Sequence, residues 1–300
     1  MLFGDSWSLD HKKKFIALLL KLSNLKRLTI PSMKEIPEEI YDLENLEHLI
    51  FRKIQLTTLP AKIKNLKSLK CLSFFNSNFT DFPNEIGEIN LKELSIEGNQ
   101  SLTELPKGIK NLSELEKLDL SNNKNLTNLS GIGNLVNLKE LKISENQSLT
   151  KLPEEIINLT KLERLNLSNN KNLTNLSGIE NLVNLKELII SHNQGLTKLP
   201  REIGKLTNLK NLELDENENL TELPKDIGDL AMLEYFRLNK HKNLIKLPKE
   251  IGNLSKLKNL DFSGNEGLID IPKEIGNLIN LEELSLDYVV TKRLPRQPNI

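Results

Sequence analysis

Few residues in this chain could carry out a reaction, and they are scattered. The four histidines, His11, His48, His192 and His241, stand far apart in the sequence, and the one thiol is Cys71. Zinc needs several ligands at short, fixed spacing, and neither HExxH nor a paired Cys/His motif occurs. The phosphate-cradling GxxxxGK[ST] and the nucleophile elbow GxSxG are also missing. The acidic run DENEN (215–219) offers oxygens that suit calcium, but not at the spacing of an EF-hand loop. No catalytic residue, cofactor or metal is therefore expected.

Side chains suited to recognition are better represented. Near one end stand His48, Ile50, Arg52 and Phe75. Toward the other are Ile189, His192, Glu213, Asp215, Tyr235, Arg237, Lys240 and Tyr288. Aromatic residues and arginine are the types that dominate binding energy at protein interfaces. Whether these groups share a face depends on the elements that position them.

Those elements are set by a repeat. The motif LxxLxL begins at Leu25, Leu46, Leu69, Leu91, Leu115, Leu138, Leu162, Leu185, Leu209, Leu233, Leu257 and Leu281, at spacings of 21 to 24 residues. A period of this size marks a solenoid with one supersecondary unit per repeat. Apolar and polar residues alternate within LxLxx, so each motif reads as a short strand with one side turned into a core. The second inward position (Ile30, Phe51, Phe74, Ile96, Leu120, Ile143, Leu167, Ile190, Leu214, Leu238, Phe262, Leu286) is apolar in every repeat. One repeat cannot bury that side alone. Stacked repeats can, with each strand pairing in parallel to the next.

An asparagine follows the strand in seven repeats: Asn99, Asn123, Asn146, Asn170, Asn193, Asn217 and Asn265. A buried amide there can satisfy backbone groups of adjacent turns. His241 fills this column in the tenth repeat, and its imidazole, which donates and accepts, is expected to be a satisfied substitute. Met33, Ile54 and Val289 occupy the column near the ends, so the ladder is expected to fade there.

One stretch is nearly duplicated. NLSGIGNLVNLKELKISENQSLTKLP (128–153) returns 47 residues later as NLSGIENLVNLKELIISHNQGLTKLP (175–200). The changes are Gly133/Glu180, Lys142/Ile189, Glu145/His192 and Ser148/Gly195. Two fall at outward strand positions and two in connecting loops, while every leucine is kept. The lattice is held constant and the surface is free to vary.

The full pattern, LxxLxLxxNxxLTxLPxxIGNLxN, is clean in LKNLELDENENLTELPKDIGDLAM (209–232) and resembles the leucine-rich repeat family over about residues 25–294. The LPxEIGNL phrasing is similar to bacterial and intracellular members, and LSGI (129–132 and 176–179) is similar to the internalin-type repeat. The resemblance implies an α/β fold: a curved horseshoe solenoid with a parallel β-sheet on its concave face and short helical or irregular convex segments. The two recognition clusters would then lie on the concave face, where Phe75 is expected to face water.

Solenoids need caps. Residues 1–24 are expected to form an N-terminal segment with a capping helix whose Phe15, Leu18, Leu19 and Leu22 recur at helical spacing. Residues 25–294 then form an array of about twelve repeats, and 295–300 a short tail. Two arrangements of the C-terminal edge stay open: the last repeat is its own irregular cap, or another copy or further sequence covers it.

Charge gives no pull toward polyanions. Forty-one basic residues balance 41 acidic ones, so neither nucleic acid nor a membrane surface is an expected partner. A single cysteine cannot close an intrachain disulfide. FIALLL (15–20) is too short to span a bilayer and lacks a signal-peptide cleavage site nearby. A cytoplasmic protein, or one translocated into a host cell, is expected. The leading reading is a non-enzymatic module that binds a protein partner and is more often a monomer than an oligomer, with end-to-end association open. Two others remain: the recognition part of an enzyme such as a ubiquitin ligase whose catalytic domain is absent from this chain, and a structural, self-associating spacer.

Overall fold

The structure, a computed structural model, describes residues 9–19, 21–32 and 36–286. They pack as two units, divided between Lys142 and Ile143. In the first unit six strands follow in chain order: β1 (Arg27–Pro31), β2 (His48–Arg52), β3 (Cys71–Phe75), β4 (Glu93–Glu97), β5 (Lys117–Asp119) and β6 (Glu140–Lys142). Each pairs in parallel with the next, in the register the repeat dictates: His48 lies opposite Cys71, and Cys71 opposite Glu93. The second unit repeats the scheme with β7 (Arg164–Asn166), β8 (Glu187–Ile189), β9 (Asn211–Glu213), β10 (Tyr235–Arg237), β11 (Asn259–Asp261) and β12 (Glu283–Ser285).

Between strands the chain returns through short 3-10 turns such as Glu154–Asn158 and Arg201–Lys205. Proline precedes most of them. Its fixed φ holds the chain extended just before the turn, and its carbonyl closes the turn, as Pro200 O accepts from Ile203 N–H at 3.1 Å. The isoleucine at the turn's centre points inward: Ile156 and Ile203 are fully buried. In the two LSGI repeats glycine does the job differently. Gly131 and Gly178 sit at φ 91° and 93°, a left-handed conformation that L side chains rarely adopt. A Cβ on Gly178 would also lie 2.8 Å from Ile156 Cγ2, whereas one on Gly131 would meet its nearest atom at 3.9 Å. Both alanine variants should therefore lose about 1–2 kcal/mol to backbone strain, with Gly178→Ala the worse of the two. Paired thermal melts check this; equal losses would mean Ile156 moves aside freely.

Inside each unit the inward leucines form a continuous core. The first unit adds an aromatic group: Phe74 stacks on Phe79 at 4.0 Å and on Phe51 at 5.2 Å, and Phe82 meets Phe79 at 4.6 Å.

The asparagine ladder runs beneath this core edge. Asn170 Nδ2 donates to the carbonyls of Leu167, in its own repeat, and Ile143, in the repeat before, at 2.7 and 2.8 Å. Its Oδ1 accepts the N–H of Asn146 at 2.7 Å. The same geometry holds in the first unit, where Asn123 Nδ2 donates to Ile96 and Leu120 and its Oδ1 accepts from Asn99 N–H. One amide thus satisfies three backbone groups that would otherwise be orphaned. The ladder reaches further toward the N-terminus than its asparagines do. Ser77, 3% exposed, accepts the N–H of Ile54 at 3.2 Å and sends its own N–H to Asn99 Oδ1 at 3.1 Å. Met33 and Val289 lie outside the described residues.

Two expectations about the N-terminal cap need correction. The helix α1 spans Leu9–Leu19, so Leu22 falls beyond it. Leu19 is buried, but Leu18 and Leu22 are 56% and 41% exposed. The helix meets the first unit along a narrower stripe than the spacing implies, with Leu19 on its buried side and Leu18 turned outward.

Candidate binding surface

Outward side chains of neighbouring strands sit in rows across each sheet, because parallel pairing in register puts equivalent residues side by side. In the first unit one row joins His48, Cys71 and Glu93, the next Ile50, Ser73 and Ser95, and the third Arg52, Phe75 and Glu97. His48 and Ile50 are half-buried and Arg52 is exposed. Phe75 stays out of the core, as its place in the repeat requires, yet it does not face open water. It is half-buried, with the Arg52 guanidinium 4.7 Å from its ring centroid. This cation–π contact comes from the adjacent repeat.

Cys71 lies in the same patch and makes a poor nucleophile. Burial, reinforced by a bond from Sγ to Glu93 Oε2 at 3.4 Å, pushes the thiol up to about 11. Glu93 is held ionised by Lys117, whose Nζ lies 2.8 Å from Oε1.

The second unit brings together Ile189, Glu213 and Arg237 in one row across β8, β9 and β10, with Asp261 beyond. Tyr235 projects from the row beside it, between Asn211 and Asn259, and is 49% exposed. His192, Glu216 and Lys240 follow at the strand ends, all three with positive φ near 60°. His192 Nδ1 lies 3.0 Å from one Glu216 oxygen and Lys240 Nζ 2.9 Å from the other.

Asp215 departs from expectation. Among the DENEN residues it is 9% exposed, too deep to meet a partner directly. One carboxylate oxygen binds Arg237 Nη2 at 2.8 Å and the other accepts the N–H of Asn239 at 3.0 Å. Its work is to hold Arg237 upright. Asn217 of the same run belongs to the ladder, and no group of three or more metal-ligating side chains converges among the described residues. Tyr288, the remaining candidate, lies outside the described residues.

The second unit also carries a groove on its flank that the repeat pattern does not announce. It has a volume of about 930 Å³ and opens between the LSGI turn at Leu176 and Ser177 and the LP turns of the two following repeats. Lys198, Arg201 and Lys225 face Glu202, Glu222 and Asp226 along it, and Arg201 Nε bonds Asp226 Oδ2 at 3.2 Å. One signal for it is present in the sequence. LSGI is a residue shorter than LPxxI, and its 3-10 turn, Ile179–Asn181, is 3 residues long where Arg201–Lys205 has 5.

In-register parallel strands, 3-10 returns and a buried asparagine ladder define a solenoid of the leucine-rich type. The chain belongs to the leucine-rich repeat family: a model described as leucine-rich repeat region matches residues 5–124 and 200–297, and a second, leucine rich repeat, matches 136–194. A solved leucine-rich repeat protein of Leptospira interrogans is 31% identical, over 93% of this chain and 86% of that one, with a TM-score of 0.57. An internalin of Listeria monocytogenes shares the fold at 20% identity, covering 97% of this chain and 96% of that one, TM-score 0.60. The leucine-rich repeat domain of a type III effector, XopL, does so at 20% identity over 93% and 83%, TM-score 0.56. No curated protein matches the chain. No helix among the described residues is long and apolar enough to cross a membrane.

Proposed function

We propose that the protein is a non-catalytic binding module that holds a protein partner against the outward face of its strands. The observation that carries this reading is the Tyr235–Arg237 pair. Both side chains stand about half exposed on one short strand, and Arg237 is fixed by a buried carboxylate. Ordering a long side chain on binding costs about 0.5–1.5 kcal/mol, and here Asp215 has removed part of that cost in advance. Ile189, on the far side of Glu213 in the same row, adds apolar area one strand beyond the pair. The first-unit patch, with Phe75 under Arg52, is a second contact point of the same kind.

The fold supports a binding role and the site supports where it lies. Likeness to a Leptospira protein supports a bacterial setting. Likeness to a type III effector's repeat domain favours a host-facing version, in which this surface selects the target. A cytoplasmic or translocated location fits both.

The test is affinity capture with wild-type protein and a Phe75/Ile189/Tyr235/Arg237 alanine variant, followed by titration of the captured protein against single variants. Tyr235→Ala and Arg237→Ala should each weaken binding by roughly tenfold or more, the range of interface hot spots. A partner bound equally by wild type and variant would move function to the flanks or ends of the array. Self-association unaffected by these changes would favour the spacer.

A further inference from the structure

The tenth repeat holds a buried titratable group that binding on the outward face does not use. His241 is fully buried at the ladder position, where its neighbours Asn217 and Asn265 are asparagine. Its own N–H is served normally, by Asn265 Oδ1 at 2.8 Å. Its ring is not. Asparagine here supplies two N–H donors and one acceptor, as Asn170 shows. A neutral imidazole has one donor and one acceptor. Neither Nδ1 nor Nε2 of His241 makes a hydrogen bond, although both are shut off from water. The carbonyls of Leu214 and Leu238, which are the equivalents of those Asn170 binds, and the Asn265 side chain lie close enough to favour a proton on the ring, but none meets a ring nitrogen in hydrogen-bond geometry. The expected satisfied substitute is thus an interruption of the ladder.

We propose that His241 makes this repeat an acid-sensitive joint: when the ring takes up a proton, the ladder opens there and β10, with Tyr235 and Arg237, loosens. What would favour a charge in this site is outweighed by burial. The charged group that faces the ring is Asp215, from the preceding repeat, and Arg237 already neutralises it at 2.8 Å. The following repeat presents Asn265, which is uncharged. Burial, the largest influence, holds the ring below the ordinary histidine value of 6.5, against the smaller opposite pull of the two carbonyls, Asp215 and the Asn265 side chain. The sign follows. Below about pH 6.5 the opened state binds a proton that the closed state refuses, so closure is favoured above that pH and lost progressively as pH falls. The proposal concerns opening of the repeat and stands whether or not the outward face binds a partner.

Hydrogen exchange of the whole protein tests it, at pH 7.5 and pH 5.0, corrected for intrinsic rates. The variants are wild type and His241→Asn, which restores the ladder residue. In wild type, segments 209–262 should exchange about tenfold faster for each pH unit below 6.5 until the closed state itself is protonated, while 143–200 stays constant. His241→Asn should remove that dependence. An acid response identical in the two proteins, or none in wild type, overturns the proposal. Imidazole titration of wild type by NMR gives an independent check, since a His241 ring that titrates near 6.5 would overturn it without any variant.

Discussion

Asn170→Leu should lower the stability of the protein by about 3 kcal/mol or more, although leucine has the same branched outline of side-chain heavy atoms as asparagine. The loss comes from orphaned backbone and not from a cavity. The Asn146 N–H and the carbonyls of Ile143 and Leu167 all depend on the Asn170 amide, at 2.7 to 2.8 Å. Each buried group left without a partner costs about 1–3 kcal/mol. Asn172 provides the control. It also bonds a carbonyl, Gln147 O at 2.7 Å, but it is exposed, so water replaces the lost contact and Asn172→Ala should cost about 0.5 kcal/mol or less. Urea denaturation of the two variants separates the cases. Similar losses would mean that the ladder amide contributes no more than an ordinary surface bond.

Phe74 and Phe75 are adjacent and should behave oppositely. Phe74 is fully buried among Phe51, Phe79 and Phe82, so Phe74→Ala should cost about 3–5 kcal/mol. Phe75→Ala loses a half-buried ring and one cation–π contact with Arg52, and should cost about 1 kcal/mol. The same denaturation series reads both. A large loss at Phe75 would place that ring in the core and shift the register of β3 by one residue, reversing every side chain in the strand.

That register is legible in the sequence because two periods agree. Alternation assigns Phe74 inward and Phe75 outward, and the twelvefold lattice fixes the phase of each strand, so one misread repeat would stand out against the others. The asparagine ladder is legible for the same reason. What stays hidden depends on a neighbour one repeat away. Arg52 and Phe75 are 23 residues apart, and no local pattern says that one will cover the other. Asp215 reads as a surface acid in DENEN, and only the reach of Arg237 and the position of Asn239 N–H draw it inward. Ser77 gives no ladder signal because a hydroxyl does not look like an amide, though it supplies the same acceptor to Ile54 N–H. The place of His241 in the ladder follows from the repeat, but its bonding does not. Counting donors and acceptors shows capacity and not whether the ring nitrogens reach their carbonyls.

The ladder's reach also bears on how such a gene can change. Within each unit the ladder amides Asn123 and Asn170 bond inside their own repeat and to the one before it, and their reach extends to no more distant turn. An in-frame copy of two repeats meets, at both of its junctions, the same groups it met at its source. The 47-residue echo between 128–153 and 175–200 is what such an event would leave behind. Array length can therefore drift by whole turns while the core chemistry stays intact, and the gene gains new outward surface without first passing through an unfoldable product.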